Sequence, residues 1–114
     1  MKRKLLAIVA ADMVGFSRLI EDDEITILSR QKVIFNKIIK IEIKKFNGEI
    51  IKTTGDGFLA KFDSSLDAVE SSFQIQKRVN LLEEKFSSDK RIWYRFGINV
   101  GDVVLDEGDV FGNC

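Results

Sequence analysis

Two aspartates carry most of the chemistry this sequence can offer. Asp12 closes an apolar run, and Asp56 sits between two glycines in the stretch Lys52-Thr53-Thr54-Gly55-Asp56-Gly57-Phe58. If the run ending at Asp12 is a strand paired beside the hairpin that carries Asp56, the two carboxylates approach each other. Close carboxylates repel unless a cation sits between them, and oxygen-only ligands select hard ions such as Mg²⁺ or Mn²⁺. A phosphate-bearing substrate normally completes such coordination. Directly after Asp12, Met13-Val14-Gly15-Phe16-Ser17 reads as a glycine turn into a helix, whose first N–H groups lack intrahelical acceptors and suit an anion. A triphosphate fits there, and a pair of ions about 3.5 to 4 Å apart could activate a hydroxyl and stabilise a leaving group.

Each piece alone also has a plain reading. Gly-Asp-Gly between strands is what any tight turn requires. Asp12 could be a strand-end cap, Lys52 a solvated charge and Asp106 to Asp109 an acidic loop. Only the joint arrangement points to a site.

Composition narrows the chemistry further. None of the 114 residues is histidine, which removes Ser-His-Asp and Cys-His catalysis and any histidine-ligated zinc. The one cysteine, Cys114, allows neither a disulfide framework nor a thiolate site, and a reducing, cytoplasmic setting fits best. Lys+Arg and Asp+Glu number 18 each, so no global basic field would hold nucleic acid or an anionic membrane. The opening MKRKLLAIVAAD is too soon interrupted by Asp12, and too directly continued, to read as a signal peptide. No apolar stretch approaches the roughly 20 residues of a membrane span.

The elements that must position these residues follow from periodicity. Residues 4 to 11 form a buried strand delivering Asp12 at its edge. A helical pattern runs from about Asp23 to Phe46, with Ile25, Leu28, Phe35, Ile38 and Ile39 as its apolar side; Asp22 and Asp23 suit its start and Asn47-Gly48 its stop. Glu49 to Thr54 and Phe58 to Phe62 are strands joined by Gly55-Asp56-Gly57, residues that tolerate positive φ. Ser64 and Ser65 open a second long helix with Leu66, Val69, Phe73, Val79, Leu82 and Phe86 as its core stripe. Residues 92 to 105 return to strand: Ile92, Tyr94, Phe96, Ile98 and Val100 form a core face, and Trp93, Arg95, Gly97 and Asn99 a mixed one. This order predicts one domain over 1–114, an α+β fold with a ferredoxin-like βααββαβ core, its antiparallel sheet carrying helices on one face, and incomplete at its C-terminal end.

The segments ADMVGFSRLI, GEIIKTTGDGFLAKF and YRFGINVGDVVLDEGDVFG, in that order, resemble successive signatures of the class III nucleotidyl cyclase catalytic domain, the adenylate and guanylate cyclase family. The resemblance covers nearly the whole chain from residue 4 onward. It implies that Asp12 and Asp56, with the carbonyl of Met13, hold two Mg²⁺ or Mn²⁺ ions, and that Val14, Gly15, Phe16 and Ser17 form the turn whose amides bind polyphosphate. It further implies that Lys52 contacts the adenine ring and that Asp109 is its purine-specifying partner. Guanylate cyclases usually carry glutamate and a small residue at those two places, so this pair points to ATP. The edge of adenine presents an acceptor at N1 and a donor at its amine, matching an ammonium and a carboxylate, whereas guanine reverses that edge.

The family also implies a homodimer with shared active sites, in which Lys52 and Asp109 serve a partner's Asp12 and Asp56. Its members continue past the Gly112 position with a helix bearing a ribose-orienting asparagine and a transition-state arginine. This chain ends before both, so it is expected to have little or no cyclase activity as it stands. The expected function is conversion of ATP to cyclic AMP and pyrophosphate in nucleotide signalling; the alternative is a non-catalytic nucleotide-binding or dimerisation module. A diguanylate cyclase would carry Gly-Gly-Asp/Glu-Glu-Phe where this hairpin reads Gly-Asp-Gly-Phe.

Overall fold

The computed structural model describes residues 2–106 and 109–112, with side chains over residues 4–102. Strand β1 (Lys2–Met13) leads into helix α1 (Phe16–Ile34), which passes through a π-helical turn (Phe35–Ile39) into α2 (Lys40–Lys45). Strands β2 (Glu49–Thr53) and β3 (Gly57–Phe62) form the hairpin, α3 (Ser65–Glu83) follows, and β4 (Tyr94–Asp106) and β5 (Asp109–Gly112) end the fold. The sheet order is β2-β3-β1-β4-β5, antiparallel throughout. Because β1 and β2 are separated by β3, the helical crossover between them is the split βαβ of a ferredoxin-like core, as expected from the element order. The fifth strand adds to that core.

Period-two alternation assigns the two sheet faces. Ala7, Val9, Ala11 and Met13 of β1, with Phe58, Ala60 and Phe62 of β3, pack under the helices. Burying a ring such as Phe58 stabilises by about 1.5–3 kcal/mol. Leu6 and Ile8 sit on the opposite face against Ile51 and Leu59. Asp12 belongs to that opposite face, one residue out of phase with the core.

The helix ends match their sequence signals. Ser64 Oγ accepts from the Asp67 N–H at 3.2 Å and caps α3, and Asn47 takes a left-handed φ of 63° just past α2. α1 starts earlier than the periodicity suggests, at Phe16. It breaks at Asp23 (φ −161°, ψ 81°), and the Asp23 carboxylate caps the Thr26 N–H at 3.3 Å, so the expected start is a restart within the helix.

The inward faces of the helices differ from expectation. Ile25 and Leu28 are exposed, and Ile27 and Ile34 take the core positions. On α3, Leu66, Val69, Phe73 and Leu82 are exposed, while Ala68, Ser71, Ser72, Ile75, Val79 and Glu83 face inward; Phe86 lies past the helix end and is half-buried. Small side chains let the helix settle close to its neighbours. Ser71 and Ser72 can be buried because both hydroxyls donate to the Ala68 carbonyl, at 3.1 and 2.7 Å. Val100, expected on the core face of β4, is exposed as well.

Candidate active site

Strand register brings the two aspartates together. Asp12 is paired with Gly57 on β3 and with Arg95 on β4, and the Met13 N–H donates to the Asp56 carbonyl at 2.8 Å. Asp12 and Asp56 thus line one open groove of about 580 Å³, along with Thr54 and Arg95. Ala10 and Gly97, also in its wall, leave it the space.

Gly57 makes this approach possible, for a reason other than the one read from the sequence. Neither hairpin glycine has a positive φ; Gly15 is the glycine that does. A Cβ on Gly57 would stand 1.8 Å from the Ala11 carbonyl oxygen, so β3 could not lie this close to β1 with any side chain there. Gly55 has open space where its Cβ would be. The turn is held from outside as well. Thr54 N–H donates to the Gly57 carbonyl and Gln31 Nε2 to the Gly55 carbonyl, each at 2.9 Å.

Arg95 is the residue sequence reasoning missed: alternation puts it on the mixed face of β4 but gives it no task. Its Nη2 lies 3.0 Å from Asp12 Oδ1 and 3.3 Å from Oδ2, and only the second contact has hydrogen-bond geometry. Asp12 Oδ1 is buried and accepts no hydrogen bond. That open acceptor, beside a second carboxylate, fits a hard cation. No group of three or more acidic, histidine or cysteine side chains converges among the described residues, so backbone oxygen, water or phosphate must complete such a site.

The turn after Asp12 has the expected form. Gly15 is left-handed (φ 67°, ψ 29°), and the first helical bond runs from Leu19 N–H to the Gly15 carbonyl at 3.0 Å. The N–H groups of Phe16, Ser17 and Arg18 are therefore free of helical acceptors. Phe16 packs against the core and Ser17 is exposed, while the Val14 N–H is engaged by the Trp93 carbonyl at 2.9 Å. Val14 to Ser17 follow Asp12 in the chain but do not line its groove.

Lys52 does not line the groove, but its cross-strand partner Leu59 does. Lys52 is exposed on β2 opposite Leu59, beyond a bulge at Ile51. Asp109 opens β5 opposite Asp106, and its side chain lies outside the described residues. Among the described residues no helix is long and apolar enough to cross a membrane.

No family model matches the chain. It is 35% identical over 116 aligned residues to a protein of Rhizobium meliloti (strain 1021) named as an adenylate cyclase, an alignment covering 98% of this chain and 19% of that one. The solved adenylate/guanylate cyclase/hydrolase from Silicibacter pomeroyi is 46% identical with a TM-score of 0.88, over 98% of this chain and 64% of its own. The adenylyl cyclase CyaB from P. aeruginosa, at 22% identity and a TM-score of 0.78, shares the fold over 98% of this chain and 65% of its own. The chain therefore spans less than two thirds of each of these relatives.

Proposed function

The chain belongs to the class III nucleotidyl cyclase domain family, and on that premise we propose that it is an adenylate cyclase-type domain acting on ATP. The reaction joins the ribose 3′-oxygen to the α-phosphorus and breaks the bond from that phosphorus to the bridging oxygen, releasing cyclic AMP and pyrophosphate. The observation that supports this reading best is that Asp12 and Asp56 line one groove, with Asp12 Oδ1 ion-paired to Arg95 but accepting no hydrogen bond.

Asp12, Asp56 and the Met13 carbonyl would hold two Mg²⁺ or Mn²⁺ ions, which when bound lower the pKa of an attacking hydroxyl and neutralise charge on the leaving group. The free amides of Phe16 and Ser17, at the turn through Val14 and Gly15, orient the polyphosphate. Arg95, whose side chain is 72% exposed at the groove, is a cation able to leave Asp12 and meet phosphate oxygens. Lys52 and Asp109 read the adenine edge. In a homodimer each subunit would read the base bound against the other's aspartates.

The ribose-orienting asparagine and transition-state arginine have no counterpart within these 114 residues. Nucleotide binding is therefore the property to test in these 114 residues, and a non-catalytic binding or dimerisation module is the second reading. The deciding experiment is calorimetric titration with a non-reactive ATP analogue and Mn²⁺, beside an Asp12→Ala/Asp56→Ala double variant. Binding by the parent and none by the variant is the expected result. Equal binding by both would remove the aspartates from the site, and no binding by either would leave a structural module as the better description.

A further inference from the structure

Behind the Asp56 turn, on its helix side, lies a second cavity of about 240 Å³. Leu28, Phe35, Phe58 and Tyr94 give it apolar walls. The π-helical turn contributes directly, since Phe35 and Ile39, its first and last residues, both face the cavity. Such turns widen a helix and often mark functional positions. The volume is below the roughly 300–1,000 Å³ of drug-sized pockets, which restricts an occupant to one or two rings.

The charge on its described lining residues is cationic, while Tyr94 in its wall also feels the Glu83 and Asp56 carboxylates. Lys32 lines the cavity and has no carboxylate partner among the described residues. Lys40 Nζ stands 5.8 Å from the Phe35 ring centre. No described acid lines the cavity. An apolar floor under an unpaired ammonium suits a flat ring carrying one anionic group.

The cavity also shares structure with the aspartate groove. Thr54 and Phe58 line both. Gln31 lines the cavity while its side chain donates to the Gly55 carbonyl, one residue before Asp56. An occupant touching Gln31 or Thr54 therefore acts on the segment that places the carboxylate.

We infer that the cavity bounded by Phe35, Phe58, Tyr94 and Lys32 binds a small aromatic carboxylate, and that its occupancy changes the divalent-cation affinity of the Asp12–Asp56 pair. Binding stands on the cavity alone; the coupling rests on the two-carboxylate reading of the groove. By linkage the effect is reciprocal, so Mn²⁺ must change the affinity for the aromatic anion by the same factor.

The test titrates the chain with 2-naphthoate, followed by ¹H–¹⁵N spectra, with neutral 2-naphthol as control. The expected result is saturable shifts at Gln31, Phe35, Gly55 and Phe58. Lys32→Ala should weaken naphthoate about tenfold and barely alter naphthol, and Leu28→Trp, at an exposed position, should block both. Saturating naphthoate should then shift Mn²⁺ affinity by threefold or more. No shifts in the folded parent, or naphthoate affinity indifferent to Lys32→Ala and Leu28→Trp, would overturn the site. Unchanged Mn²⁺ affinity would overturn the coupling. A parent chain that binds no Mn²⁺ at all would instead count against the two-carboxylate reading, while the naphthoate and Lys32 results still decide the cavity.

Discussion

Two of the arginine–carboxylate pairs among the described residues share a chemistry and differ in character. Arg30 and Glu83 lie between α1 and α3 with side chains 17% and 3% exposed, whereas Arg95 and Asp12 lie across β4 and β1 at 72% and 43%. The first pair is enclosed and multiply bonded, although the buried Arg30 Nε has no hydrogen-bond partner. Glu83 also accepts the Ile92 N–H at 2.7 Å, and Arg30 donates to the Lys90 carbonyl at 3.0 Å and stacks 3.8 Å from the Phe86 ring centre. The second pair is held by one hydrogen bond, and Asp12 keeps an acceptor open. What separates a structural clamp from a site is thus exposure and a second carboxylate alongside, rather than the presence of an ion pair.

Substitution should expose that difference most sharply at Glu83. Glu83→Ala leaves a buried guanidinium without its partner and strips an acceptor from Ile92, so urea denaturation should show a loss of about 3–5 kcal/mol. A loss under 1 kcal/mol would erase the contrast. Asp12→Asn should do the reverse: Mn²⁺ affinity falls at least tenfold by calorimetry, while stability changes by less than about 1 kcal/mol because an exposed pair contributes little. Arg95→Ala should move stability even less, and less still in high salt. It should also raise Mn²⁺ affinity a few-fold by removing a competing cation; a fall would assign Arg95 a supporting role instead.

The smallest effect concerns Tyr94, which lies near both regions. Burial, then the charges of Glu83 and Asp56, hold its phenol above the usual tyrosine range. A raised folded-state value contributes stability that is fully present below pH about 10 and is lost as pH rises past it. Tyr94→Phe should therefore track the parent in thermal melts up to about pH 9 and lose less stability beyond pH 10. Parallel curves throughout would show that the phenol is not held above the usual tyrosine range.

Much of the fold was legible because period-two alternation and turn chemistry are local. The run ending at Asp12, the Gly55-Asp56-Gly57 turn and the Ser64 cap are written in adjacent residues, and the pairing of Asp12 with the hairpin follows once the element order is read. The inward face of α3 was not legible, since burying Ser71 and Ser72 depends on hydroxyls bonding within the helix while Leu66 and Phe73 stay exposed. Arg95 was hidden by register: only the pairing of β1 with β4 shows which outward residue meets Asp12. Gly57 was read as a turn glycine for its tolerance of positive φ, whereas its distance to the Ala11 carbonyl is what the structure gives as the reason for glycine there. A contact between neighbouring strands leaves no mark in a single segment.

The wide turn at Phe35–Ile39 has one more consequence, concerning helical phase. A turn closed by i→i+5 bonds takes up about one residue more than an α-helical turn over nearly the same rotation, so the extra residue is absorbed locally and the helix on either side keeps its phase. Deleting one residue there should let the stretch relax to ordinary α-helix and leave Gln31 in line with Gly55. The loss would fall instead on the cavity that Phe35 and Ile39 line, so the turn is a place where the chain can change length by one residue without disturbing the segment that carries Asp56.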